Sequence, residues 1–138
     1  MNVYLKKIGV NALIAFKEKI DTKTKNKVLN KYAYLINKNK FKIINQNKKD
    51  IKFAKKNYLK ESFIKRLYLD LKKINQIIKS IKIISKLKDP TDVTLSKWSR
   101  PNGLKIKRVT IPLGVIGVIY ESRPNVTADV SSLCFKSG

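Results

Sequence analysis

The chain has 138 residues, with 32 Lys and Arg against 9 Asp and Glu, a net charge of +23, no histidine and one cysteine. This length suits one ordinary domain or a piece of a larger one, and is short for an enzyme that needs separate cofactor and catalytic halves. A lone Cys134 excludes an internal disulfide, the lack of histidine excludes a plausible zinc cluster, and together they point to a reducing compartment, the cytoplasm.

From Val3 to about Lys88 the apolar residues recur at helical spacing. Leu5, Ile8, Ala12, Leu13 and Phe16 form one stripe, and Val28, Tyr32, Leu35 and Ile36 a second. Thr22 or Thr24 is expected to cap the second helix, and Ser62 stands ahead of a segment from Phe63 to Leu67. Asp89-Pro90 closes a long helix through Ile74, Ile77, Ile78, Ile81, Ile84 and Leu87. Lys6-Lys7 before Ile8 to Phe16 has some look of a leader. However, Asn11 interrupts it and Lys17-Glu18-Lys19 stands where a small-residue cleavage site belongs, so an amphipathic helix is expected.

The lysines fall mostly opposite the apolar stripes, where solvation is their ordinary role. Only Arg66, Arg100, Arg108 and Arg123 carry the fork-shaped guanidinium that reads base edges and clamps phosphates. Lysine with abundant Asn and Ile is also what an AT-rich coding sequence produces whatever the function. No specific nucleic-acid partner is expected, although Tyr32, Tyr34, Tyr58 and Tyr68 have faces on which bases could stack.

After Pro90 the period changes to two. Val93, Leu95 and Lys97 alternate with Thr94, Ser96 and Trp98, Pro101-Asn102-Gly103 reads as a turn, and Leu104 to Val109 alternates again, which predicts a β-hairpin. Val115 to Tyr120 is apolar on both faces and reads as a mostly buried strand of a parallel sheet. The apolar run from Leu113 to Tyr120 is far below the roughly 20 residues that span a bilayer, so no membrane association is expected. The turn at Arg123-Pro124-Asn125 leads into a short helix over about Thr127 to Lys136, with Asn125 or Thr127 as cap and Gly138 at its end. The fold class is α/β, with a basic helical region over 1–89 and a hairpin and strand over 90–138.

Few residues suggest chemistry. There is no histidine-based catalytic set and no phosphate-cradling Gly-x-Gly-x-x-Gly, while Gly114 and Gly117 read as close-packing positions in a strand. Cys134, between Leu133 and Phe135 and without a neighbouring base, reads as a buried small residue and not a nucleophile. The strand-to-helix turn Glu121-Ser122-Arg123-Pro124-Asn125 differs, because ligands of α/β sheets bind outside the carboxyl ends of strands. An arginine fork can hold a carboxylate or phosphate, and an asparagine amide can donate to a developing oxyanion. Asn125-Val126-Thr127 also matches a glycosylation sequon, which has no meaning without secretion.

The segment from Trp98 to Gly138, and above all Glu121-Ser-Arg-Pro-Asn-Val-Thr127, resembles the gamma-glutamyl phosphate reductase (glutamate-5-semialdehyde dehydrogenase) family of the aldehyde dehydrogenase superfamily. The resemblance implies reduction of L-glutamyl 5-phosphate to L-glutamate 5-semialdehyde and phosphate with NADPH, in proline biosynthesis. It implies that a cysteine thiolate attacks the acyl phosphate, and that hydride transfer to the resulting thioester releases the aldehyde. It makes Asn125 the oxyanion stabiliser, with Arg123 and Pro124 at the cofactor, and Arg123 also at the substrate. The hairpin around Asn102-Gly103 resembles strands that the superfamily uses for oligomer contacts. Residues 90–138 then begin an NADP-binding domain of Rossmann type, truncated after its first strand. The family's nucleophilic cysteine lies downstream, so the catalytic domain is expected to be absent and the isolated chain inactive. Two other readings are a subunit of a split reductase and a basic helical nucleic-acid-binding protein on a decayed enzyme scaffold.

Overall fold

The computed structural model describes residues 3–121 and 123–138. Six helices and one hairpin follow in order: α1 (Val3–Phe16), α2 (Thr22–Lys38), α3 (Lys40–Lys56), α4 (Glu61–Leu67), α5 (Leu71–Lys86), β1 (Thr94–Ser99), β2 (Lys105–Val109) and α6 (Pro124–Ser137). Both element types are present, as the α/β reading requires, and α5 is the centre of the molecule. Its Ile74, Ile77, Ile81 and Ile84 recur every three or four residues, so they share one face and bury together against α2 and α6.

The predicted stripe of α2 is rotated from the observed one. Val28 and Leu35 are exposed, and the buried face is Lys25, Leu29 and Ala33, flanked by half-buried Tyr32 and Ile36. Ala33 and Ala128 of α6 are small enough to let the helices meet closely around Ile81. The stripe of α1 exists in sequence, but no residue of α1 is buried.

The caps also differ. Asp21, and neither Thr22 nor Thr24, caps α2, with its carboxylate accepting from the Thr24 N–H at 2.7 Å. An anionic oxygen suits the positive end of a helix better than a hydroxyl. Thr22 instead donates to Asp89 at 2.9 Å. α4 begins at Glu61, which puts Ser62 inside the helix. Asp70 caps α5 by accepting from the Lys73 N–H at 2.7 Å. Between α4 and α5 the backbone is pinned by buried Asn47, whose amide donates to the Leu67 carbonyl and accepts from the Leu69 N–H, each at 2.8 Å.

The hairpin forms as predicted. β1 and β2 pair antiparallel, with Trp98 opposite Ile106 and a bulge between Thr94 and Ser96. The turn closes through Arg100 N–H to the Leu104 carbonyl at 2.9 Å, and Gly103 takes the positive φ of 83° that this turn needs. Thr110 fastens the hairpin base by donating its hydroxyl to the Pro90 carbonyl.

The strand predicted over Val115 to Tyr120 does not form, because β1 and β2 pair only with each other and no other strand among the described residues lies beside this segment. A β ladder exists only where backbone groups find partners across it. The predicted burial fails for the same reason: Val115, Ile116, Val118, Ile119 and Tyr120 are all exposed, Ile119 completely. No helix among the described residues is long and apolar enough to cross a membrane.

Candidate functional site

The candidate site is built at the start of α6. Pro124 occupies the opening of the helix, where its missing N–H forfeits no hydrogen bond and its fixed φ suits the helix. Arg123 is therefore the N-cap residue, with φ −114° and ψ 98°, and its side chain makes no capping bond. The helix thus begins three residues before the predicted start at Thr127, and neither Asn125 nor Thr127 caps it. Ser122 of the predicted turn lies outside the described residues.

Asn125 sits in the first turn and is exposed. Its Nδ2 donates to Asp129 Oδ2 at 3.1 Å, one helical turn on. Asp129 Oδ1 accepts in turn from Ser80 Oγ of α5 at 3.0 Å, which links the site to the core helix. Thr127 Oγ1 lies 2.6 Å from the Tyr120 hydroxyl, which ties the incoming segment to the same turn.

Pro124 and Asn125 line a cleft of about 360 Å³ with Asp129, Ser80, Arg66 and Lys73. Arg123, although adjacent in sequence, is not part of its wall. Lys73 is held at the edge by donating to the Tyr68 carbonyl at 2.6 Å, and its Nζ lies 5.2 Å from the Tyr68 ring centroid. Arg66 packs its guanidinium 5.7 Å from the Phe63 ring centroid. The chemistry available is a helix N-terminus, the Asn125 amide donor and two cations, set against the one carboxylate of Asp129, which leaves the cleft with a net positive charge.

Cys134 is half-buried, less enclosed than its expected place in the core. It lines a separate apolar groove of about 540 Å³ with Phe16, Pro112, Val115, Phe135 and Gly138. Nine positions separate it from Asn125 on one helix, about 13 Å along the axis. The two cannot act on the same atom as nucleophile and oxyanion donor. The close-packing reading of Gly114 and Gly117 also fails among the described residues, since a Cβ at either would meet nothing within 4 Å. Gly114 is needed for its φ of 103°.

Sequence reasoning missed Asp129 and Ser80. The four-residue spacing from Asn125 to Asp129 was a readable helical signal. Ser80 carried none, because its partner is 49 positions away.

No protein-family model matches the chain. In sequence it is similar to the gamma-glutamyl phosphate reductase of Nitratiruptor sp., 45% identical over all 138 residues. It is also similar to that of Nautilia profundicola, 49% identical over 114 residues and 83% of this chain. These matches span 33% and 28% of the two relatives, so the chain extends over about a third of their length. In structure it is similar to the gamma-glutamyl phosphate reductase of Saccharomyces cerevisiae, with a TM-score of 0.89 and 33% identity, covering 95% of this chain and 34% of that one. The Thermotoga maritima gamma-glutamyl phosphate reductase gives a TM-score of 0.83 and 38% identity, covering 92% and 30%. Nothing in these likenesses supports the nucleic-acid-binding alternative.

Proposed function

We propose that this chain, which belongs to the gamma-glutamyl phosphate reductase family, supplies the N-terminal third of an enzyme that reduces L-glutamyl 5-phosphate to L-glutamate 5-semialdehyde and phosphate. The observation that carries the reading is the 45% identity with a named reductase across all 138 residues. In this reading Asn125 donates its amide N–H to the oxyanion that develops on the acyl carbon, and Arg123 faces the anionic end of the substrate. Pro124 sets the start of α6 so that both stand at one turn.

The reductant in this reading is NADPH, which supplies the hydride. Arg123 and Pro124 alone do not fit a dinucleotide: Pro124 belongs to a small cleft, Arg123 lies outside it, and Gly114 and Gly117 stand in open space. The rest of that site therefore belongs to the remaining two thirds of the reductase, together with the nucleophilic cysteine. Residues 1–89 are then a helical region and residues 90–138 the hairpin and start of the NADP-binding domain. The exposed hairpin is the oligomer contact, and the enzyme works in the cytoplasm.

The test is a fusion of residues 1–138 to the remaining two thirds of the Nautilia profundicola reductase, assayed in reverse with glutamate 5-semialdehyde, phosphate and NADP. The fusion is expected to turn over and the isolated chain to be inactive. A folded fusion without turnover, or turnover by the chain alone, would contradict the reading.

A further inference from the structure

The carboxylate of Asp129 stands between two side chains from different helices. Its Oδ1 accepts from Ser80 Oγ at 3.0 Å and its Oδ2 from Asn125 Nδ2 at 3.1 Å. Ser80 is half-buried on α5, the helix with the most buried residues, and α6 packs directly on it. The three groups thus run from the rigid centre of the molecule to the exposed amide at the site.

An asparagine amide can rotate by half a turn, exchanging its donor nitrogen for its acceptor oxygen. A carboxylate only accepts, so Asp129 admits only the orientation that presents nitrogen. One N–H of Asn125 is used in that bond, and the second, on the same nitrogen, is left for another acceptor. A lone four-residue pair on an exposed helix face would hold the amide weakly, by a few tenths of a kcal/mol. The Ser80 hydroxyl changes this by anchoring the carboxylate from a second helix.

We propose that Asp129 and Ser80 are positioning residues for Asn125: they select the amide orientation that offers an N–H to a developing oxyanion and restrict its motion. The inference rests on the reading of Asn125 given above. It adds a residue of α5 to the machinery of a turn 45 positions further along the chain. The carboxylate also places negative charge near the reacting oxygen, an unfavourable effect that the Ser80 hydrogen bond lessens. Orientation outweighs that repulsion because a misplaced donor contributes nothing to the transition state.

The experiment is performed first on the chain as it stands, with the Asn125 side-chain amide followed by nitrogen-15 NMR relaxation. In the unmodified chain this amide is expected to be as ordered as the backbone of α6. Asp129→Leu should lower its order to that of a solvent-exposed asparagine, and Ser80→Ala should do so in part. Ser80→Thr and Asp129→Asn, which keep a donor and an acceptor respectively, should restore much of it, with the backbone signals of α6 unchanged throughout. An Asn125 amide unaffected by Asp129→Leu and Ser80→Ala, or disordered from the start, would overturn the inference.

The same substitutions in the fusion described above supply the second readout. Asp129→Leu and Ser80→Ala should lower kcat by about tenfold while leaving KM for the aldehyde within about twofold, and Ser80→Thr should recover it. Ordered-amide changes without any change in kcat would show that Asp129 orients Asn125 while Asn125 is not the oxyanion donor. Because an unchanged kcat can be read only in a fusion that turns over, that result would reject the catalytic half of the inference while the reductase reading stands.

Discussion

Lys25 has only 5% of its side chain exposed, an unusual place for a lysine, and its Nζ lies 2.9 Å from Asp89 Oδ2. Burial alone would push the Asp89 carboxyl upward, but hydrogen bonds from Thr91, Lys25 and Thr22 outweigh it and hold the group well below the usual carboxylate range. A depressed folded value means that ionised Asp89 stabilises the native chain above its ordinary 3.8, and that this contribution fades as pH falls below it. We therefore expect the urea midpoint to drop from about pH 4 downward, and Asp89→Asn to flatten that part of the profile. Lys25→Met, which leaves the half-buried carboxylate without its cation, should cost about 2 kcal/mol at pH 7, between exposed and fully buried pairs. A loss below 0.5 kcal/mol, in the range of exposed pairs, would show that the pair is hydrated. None of this was legible in the sequence, where a lysine on α2 and an aspartate 64 positions later carry no mutual mark. Lys136 is a parallel case, buried and donating to Asn26 at 2.6 Å across 110 positions. By contrast Arg123, Pro124 and Asn125 stand out in the sequence because proline, arginine and asparagine at a turn each have a local physical meaning, and the fold puts two of the three, Pro124 and Asn125, in one cleft wall.

The elements were legible in proportion to how much their own periodicity decides them. α5 buries Ile74, Ile77, Ile81 and Ile84 of its predicted stripe, while Ile78 is half-buried and Leu87 is exposed just past the helix end, and the hairpin forms where alternation and Pro101-Asn102-Gly103 place it. The segment from Val115 to Tyr120 went wrong because a strand is a property of two segments, and its own residues specify only half of the ladder. α1 shows a different gap: its apolar stripe is real, yet burial depends on what packs against it, and none of its residues is buried. This contrast gives a direct expectation. Ile81→Ala, at a fully inaccessible position in the centre of α5, should cost 2–5 kcal/mol, about the range for deleting a well-packed aliphatic side chain. Ala12→Gly, in the middle of α1, should cost no more than about 1 kcal/mol in the same urea titration. Amide hydrogen exchange should follow the same order, with α5 opening only in global unfolding and α1 exchanging through local fraying. Equal protection of α1 and α5 would mean that α1 is fastened by contacts stronger than its exposure indicates.

At the scale of the whole molecule, charge and apolar exposure oppose each other. The net charge of +23 repels copies of the chain, while Leu113, at 94% exposed, and Ile119, fully exposed, lie on an extended segment whose backbone groups have no strand partner among the described residues. Such a segment is a template for pairing with another chain. Repulsion between surface lysines reaches about one Debye length, roughly 10 Å at 0.1 M salt and about 3 Å at 1 M, whereas apolar attraction is not weakened by salt. The chain should therefore be monomeric at about 0.02 M sodium chloride and associate as the salt rises towards about 0.5 M. Light scattering after size exclusion gives the mass at each step. Leu113→Lys with Ile119→Lys should keep the chain monomeric across the range, while the same two changes on the exposed face of the hairpin, at Leu95 and Leu104, should have less effect. Joining the chain to the remaining two thirds of a reductase should also abolish salt-driven association if those residues cover the segment. A fusion that associates as readily as the chain alone would mean that the apolar segment stays open in the assembled protein and is a contact between subunits.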